Sequence, residues 1–350
     1  MGVSMKILHI VLSGAWAGTE GIAFSIANQQ ALLGHEVVIA VRDSGVGLRL
    51  YKSKIYSNVR LFIVPEKYKG AQAIKDFISE QLSMESECFD VVHGHLSLGA
   101  RTAALFEPES FSVGHMHMRY YETQFKSVSA VIAVSPWQLN DVPKHYMGRV
   151  CLVPNFINAL HLPLSENEIN CFYKRYRLSK NDFIFGSVSR LHIEKGIDLL
   201  IKAFNHLKLP NAKLVIIGEG EYEEQLRELT KGKSNIKFSG FIPDAYRYME
   251  LFDVFVSPSR ADSFGMSVLE ALSQGVPVVA SRTMGSQDIL KTDGLLFEMD
   301  NLEDLQDKML SAYHGQKNSV DISQYQAEKS VRVLQDFLFD CLSQRKIPNY

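Results

Sequence analysis

The chain is poor in cysteine: 350 residues hold four, at positions 88, 151, 171 and 341. None belongs to a CxxC pair, which excludes a zinc ribbon, a CxxC redox centre and a disulfide-stapled scaffold, and implies a reducing, cytoplasmic setting. Long apolar runs are missing as well. The longest stretch without Asp, Glu, Lys or Arg covers residues 150–165 and carries Pro154 and Pro163. It falls short of the ~18 apolar residues that a membrane span takes. Neither charge sign is in excess. Thirty-seven basic side chains against 39 acidic ones give −2, so no global positive field points to nucleic acid. No GxGxxG, no GxxxxGK[ST] and no Asp-x-Asp occurs. Dinucleotide binding, a Walker A phosphate loop and an acidic pair holding a metal-bound diphosphate therefore lose their usual signatures.

What is present is an ordinary globular composition, 46% hydrophobic and 22% charged. At about 150 residues per domain the length predicts two domains. Short apolar runs alternate with helical patterns. In the first half the runs are residues 6–12, 36–41, 90–94, 111–115 and 130–135, with a helix over 20–33. A second series has strands at 183–189, 213–217, 236–239, 254–257, 277–280 and 294–297. Its helices fall at 196–207, 221–231, 245–252 and 267–274. Such alternation predicts two doubly wound α/β domains with parallel sheets. We place the first at residues 1–160 and the second at 161–324, with a last helix in 325–350 packing back on the first. Lys6, the apolar run after it and Ala15-Trp16-Ala17 imitate a signal peptide. The helix that follows makes a buried first strand the better reading.

Ligands of doubly wound sheets bind beyond the C-terminal strand ends, so the loops there carry the information. The first spans residues 13–20 and contains Gly14, Gly18, Thr19 and Glu20; free amides at the start of a helix suit an anion. The second, 189–196, brackets a strand-to-helix turn with Arg190 and Lys195, a planar fork and a point charge that together suit a diphosphate. The third runs Asp262-Ser263-Phe264-Gly265-Met266 into a helix bearing Glu270. Glu270 is flanked by Leu269, Ala271 and Leu272, a setting costly for a carboxylate without a partner, and paired sugar hydroxyls would supply one. The plainer readings are a bare turn, solvated surface charges and a helix-surface glutamate.

Taken together these segments resemble the retaining glycosyltransferases of family 4, which have the GT-B fold: two Rossmann-like domains facing across a cleft. The resemblance rests on the acid-x7-Glu element Asp262–Glu270 in DSFGMSVLEALSQGVPVVAS, and on the R-x4-K-G element at residues 190–196 in SVSRLHIEKGIDLLIKAF. It rests further on Gly18-Thr19-Glu20, on GEGEYEEQLREL, which opens with Gly218, and on FSGFIPDAYRYMELFDVFVSPS. It covers residues 6–310 and is stronger in the second half. It implies that Arg190 and Lys195 neutralise the diphosphate of a nucleotide-sugar, that Glu270 bonds the ribose, and that Asp262 approaches the donor sugar. Gly218, Ser263, Phe264, Gly265 and Met266 complete the donor side, the Phe264 and Gly265 amides helping to hold sugar and phosphate. Gly18 meets phosphate or acceptor. The family usually has Glu at position 262, so Asp262 is a departure that shortens the reach of the carboxylate.

Seven of the eleven histidines lie in residues 1–150. The resemblance implies a functional histidine at the end of the strand in VGHMHMRYY. His117 fits best, with His115 as the fallback and His93 and His95 lining the acceptor side beside Thr19 and Glu20. A zinc site at His115 and His117 lacks a further ligand at suitable spacing, so no metal and no cofactor is expected. Residues 49–75 hold seven basic side chains (Arg49, Lys52, Lys54, Arg60, Lys67, Lys69 and Lys75) against Glu66, with Asp76 following directly. That face could touch an anionic membrane weakly. The expected function is transfer of a sugar from a nucleotide, UDP by preference, to an acceptor hydroxyl of a surface glycan such as lipopolysaccharide or capsule, with retention. Two alternatives are a non-catalytic nucleotide-sugar-binding protein and a sugar-nucleotide epimerase of the same fold.

Overall fold

A computed structural model describes residues 4–13, 18–43, 45–83, 88–157, 163–292 and 294–345. The chain forms two compact units, Met1–Asn158 with Gln324–Tyr350, and Ala159–Ser323. The first is built on β1 (Lys6–Val11), β2 (Glu36–Arg42), β3 (Val59–Val64), β4 (Val91–His95), β5 (Phe111–His115), β6 (Ala130–Ala133) and β7 (Arg149–Leu152). All pair parallel in the order β3-β2-β1-β4-β5-β6-β7. Runs such as KILHIV and EVVIAVR are apolar on both sides because both faces are covered. One face packs Leu8, Ile10, Val92, Ile74 and Ile78; the other packs Val11, Phe24, Ala27, Ile39 and Tyr51. Strand order reverses at β1, whose neighbours are β2 and β4. The helix Gly18–Leu32 is buried on several sides, since it lies between the sheet and the returning helix Ala327–Gln344. That return is fastened by a bridge between Ile157 and Gln326 and by an ion pair from Arg345 to Glu107 at 2.7 Å.

The second unit has β8 (Phe183–Val188), β9 (Ala212–Ile217), β10 (Ile236–Phe238), β11 (Val254–Ser257), β12 (Val278–Ser281) and β13 (Leu296–Phe297). They are parallel in the order β10-β9-β8-β11-β12-β13, so the reversal falls between β8 and β11. Phe185, Leu200, Phe204, Ile216, Val254 and Leu305 are among the residues of its core.

Three sequence expectations change. The basic stretch 49–75 contains β3, an edge strand with Val59 and Val64 buried and Arg60 turned out. Strand β7 was not expected at all. Residues 245–251 coil as a 3₁₀ helix rather than an α-helix. Among the described residues no helix is long and apolar enough to cross a membrane.

Candidate active site

In the second unit two loops leave the sheet where its order reverses. One follows β8 and carries Arg190 to Gly196; the other follows β11 and carries Pro258 to Gly265. They touch backbone to backbone. A Cβ on Gly196 would meet the Pro258 carbonyl oxygen at 1.9 Å, and Gly196 takes φ +65°, so only glycine fits. Gly218, at the end of β9, is confined likewise by the Ser189 carbonyl, also 1.9 Å from a built Cβ.

The residue that fastens these loops together is Arg260, which sequence reasoning passed over. Its guanidinium donates to both carboxylate oxygens of Asp198 (2.8 and 3.0 Å), to Asp300 (2.7 Å) and to the Ile193 carbonyl (2.6 Å). Its own amide donates to the Glu194 carbonyl at 2.7 Å. The two carboxylates raise the Arg260 pKa further above its ordinary value, and Arg260 in turn holds the Asp198 carboxyl down against the effect of burial. The 3₁₀ turn Ile193–Lys195 is thereby tied to the second loop.

That tie delivers Lys195 to Asp262. The Lys195 ammonium lies 3.4 Å from Asp262 Oδ2. The other carboxylate oxygen, Oδ1, accepts from the amides of Phe264 (3.3 Å) and Gly265 (2.8 Å). The Asp262 carbonyl accepts from the Gly285 amide at 3.0 Å. The Phe264 and Gly265 amides, expected to help hold sugar and phosphate, are here engaged by Asp262. The short aspartate side chain suits this local turn, which the longer glutamate common in the family would overshoot. Gly265 then opens the helix Met266–Ser273 with φ +90°.

Glu270 stands one turn into that helix. No described donor reaches its carboxylate, and burial pushes its pKa up to about 7. Ser263 and Met266 are half-buried in the same loop. Arg190 is not brought onto the Lys195–Asp262 pair. Its side chain is 65% exposed and its recorded ion contact is Glu221 at 3.9 Å.

In the first unit, residues 14–17 of the glycine-bearing loop lie outside the described residues. Gly18 is exposed, Thr19 half-buried and Glu20 buried at the start of their helix. The histidines form one assembly near the reversal of the first sheet. His9 of β1 is in register with His93 of β4, and His95 of β4 with His115 of β5, so all four share one face. His93 and His95 lie within the strand rather than after it, and His117 follows β5 by two residues. His9 Nδ1 meets His95 Nε2 at 3.0 Å, His95 Nδ1 meets His117 Nε2 at 3.1 Å, and His93 Nε2 meets His115 Nδ1 at 3.1 Å. His9 Nε2 also meets Gln30 Oε1 at 2.7 Å. Burial lowers the pKa of His9 to about 4 and those of the other four well below the usual range, so all are neutral near pH 7.

Sequence spacing offered no third ligand for a metal, whereas the fold brings nitrogens of His9, His93 and His95 within 4.8 Å of one another. Their rings are close to parallel, tilted by 21° to 34°, and His9 and His95 are hydrogen-bonded to each other. Both nitrogens of His9 and of His95 are spent on hydrogen bonds within the assembly, while His93 Nδ1 is buried without a partner.

Comparison with known proteins adds four findings. The family model described as Glycosyl transferases group 1 matches residues 172–329. The chain is 36% identical over 137 residues to the sulfoquinovosyl transferase SQD2 of Arabidopsis thaliana, covering 37% of this chain and 26% of that protein. It is 24% identical over 341 residues, 85% of each chain, to the Escherichia coli UDP-Gal:alpha-D-GlcNAc-diphosphoundecaprenol alpha-1,3-galactosyltransferase. In fold it resembles HepE of Anabaena, crystallised in complex with UDP and glucose, with a TM-score of 0.77 and 20% identity over 97% of this chain and all of that one.

Proposed function

We propose that this chain, a member of the group 1 glycosyltransferases with the GT-B fold, moves a sugar from a UDP-linked donor to an acceptor hydroxyl with retention of anomeric configuration. The observation that carries this reading is the Lys195–Asp262 pair at 3.4 Å, poised where the second sheet reverses, with Glu270 one turn into the helix that follows the Asp262 loop. A cation beside a carboxylate matches the two charges that develop when a glycosidic bond to a diphosphate breaks.

In this mechanism the bond from the anomeric carbon to the diphosphate breaks, and its electron pair stays on the phosphate oxygen. Lys195, with the exposed Arg190 fork swinging in from the surface, neutralises that oxygen's charge. Asp262 stabilises the positive charge on the sugar ring. The acceptor oxygen bonds the anomeric carbon on the face the diphosphate left, and its proton passes to the departing phosphate. Glu270 accepts the ribose hydroxyls, which supply the partners its half-buried carboxylate lacks. Gly218, Ser263 and Met266 shape the donor pocket. Gly18, Thr19 and Glu20 with the histidines of β4 and β5 belong to the acceptor side, and His117 meets a sugar hydroxyl. No cofactor or metal takes part.

The activity for which the Escherichia coli relative is named, from UDP-Gal to a lipid-diphosphate-linked sugar, supports a UDP donor and a growing surface glycan as acceptor. Arg49, Lys52, Arg60, Lys67 and Lys69 are exposed on the first unit and would hold it weakly against the anionic inner face of the cytoplasmic membrane. The test is incubation with UDP-hexoses and a lipid-linked glycan, with the product's anomeric proton followed by NMR. Retention supports the reading; an inverted product, or hydrolysis without transfer, defeats it.

A further inference from the structure

We propose that Gln30 sets the tautomer of His117 through His9 and His95, so that the half-buried end of the chain offers an Nδ1 lone pair, not an N–H, to a substrate hydroxyl. The substrate half of this inference rests on the reading above; the tautomer half does not.

The argument is one of donor and acceptor counting. A neutral imidazole has one N–H and one lone pair. Gln30 Oε1 can only accept, so His9 Nε2 carries the proton and donates across the 2.7 Å contact. His9 Nδ1 is then an acceptor, and the proton of the 3.0 Å contact belongs to His95 Nε2. His95 Nδ1 must accept in turn, so the proton of the 3.1 Å contact belongs to His117 Nε2. His117 Nδ1 is left with its lone pair. The Gln30 contact is shorter than both imidazole–imidazole contacts, as an oxygen acceptor requires.

Geometry and burial define the chain, which starts at Gln30 Oε1 and leaves Gln30 Nε2 buried without a partner. His9 with His95 and His95 with His117 have ring centroids 5.3 and 5.4 Å apart and planes within 30°, which places the bonded pairs nearly edge to edge. Gln30, His9 and His95 are fully buried, so no water competes for their nitrogens, and desolvation keeps each ring neutral. The parallel pair His93–His115 shows the contrast. Its outer nitrogens, His93 Nδ1 and His115 Nε2, are buried without a partner, so nothing fixes its direction. Gln30 is an amide and cannot take up a proton. The chain therefore orients His117 and is no exit path for protons, which makes Gln30, His9 and His95 positioning residues.

The test is a long-range ¹H–¹⁵N correlation on the ¹⁵N-histidine-labelled full-length protein, with the His117 signals assigned from H117Q. The wild type is expected to show His9, His95 and His117 all protonated at Nε2. Gln30→Glu, whose carboxylate also accepts, keeps that pattern; Gln30→Leu gives His117 a mixture of both tautomers. His117 protonated at Nδ1 in the wild type, or a Gln30→Leu spectrum like the wild type's, overturns the tautomer half. The wild-type spectrum alone is decisive if Gln30→Leu does not fold. In the transfer assay, Gln30→Leu should raise the donor KM at least threefold and Gln30→Glu should restore it. A tautomer change with unchanged KM overturns the substrate half. Absence of any transfer by the wild type overturns the proposed function and leaves the spectrum to be read on its own.

Discussion

Lys195 and Asp262 lie 67 residues apart in sequence, yet the Lys195 ammonium rests 3.4 Å from an Asp262 carboxylate oxygen. Under the proposed mechanism, each holds the other's charge until a substrate supplies a diphosphate for the lysine and a developing sugar cation for the aspartate. Lys195→Met should lower kcat by about 100-fold or more, as loss of a charge-stabilising donor does elsewhere. Steady-state kinetics with the UDP-sugar checks this, and a variant within a few-fold of wild type would remove Lys195 from the chemistry.

Asp262 also tests why this chain departs from the family's glutamate. Asp262→Glu should lose the contacts to the Phe264 and Gly265 amides and cost about 1 kcal/mol of stability, read by urea denaturation. Asp262→Asn keeps the turn and loses the charge, so it should keep stability while losing turnover. An Asp262→Asn variant more active than Asp262→Glu would show that the turn, not the charge, matters.

Glu270 links the site to pH. Its carboxyl is raised from 4.5 to about 7 by burial. The folded state therefore binds a proton more tightly than the unfolded chain. Stability from this group is full below pH 4.5 and is lost as pH rises through 7. Glu270→Gln should stabilise the protein at pH 8 by on the order of 2 kcal/mol and leave it unchanged at pH 4. The same variant should weaken UDP binding about tenfold. Melting curves at the two pH values check the first expectation and calorimetric titration the second.

Arg260 is the clamp between the loops. Arg260→Met leaves Asp198, which is 7% exposed, with only the Lys202 ammonium at 4.0 Å, and should cost about 3 kcal/mol. Arg260→Lys should recover little, because one ammonium cannot make the bidentate contact with Asp198 and reach Asp300 together. Full recovery by lysine would mean that charge alone, not the fork, holds the loops.

These residues differ in how far the sequence exposed them. The alternation of apolar runs with helical spacing was enough for the fold class, because a parallel sheet covered on both faces needs runs such as EVVIAVR. Strand β3 stayed hidden because, at the sheet edge, its exposed positions read as part of a basic surface. Lys195, Asp262 and Glu270 were legible because motif spacing places them around one loop pair. Arg260 and Asp198 were not, since 62 residues separate them and each looks like an ordinary surface charge. Gln30 and His9 were invisible for a similar reason. A glutamine on a helix and a histidine within an apolar strand become partners only when that helix packs on that strand.

The most direct measurement is calorimetric titration of UDP and UMP into the wild type and Lys195→Met, with and without EDTA. The account predicts that UDP binds the wild type at least tenfold more tightly than UMP, that EDTA changes nothing, and that Lys195→Met narrows the gap to less than threefold. A gap that persists in Lys195→Met, or no nucleotide binding at all, would contradict it.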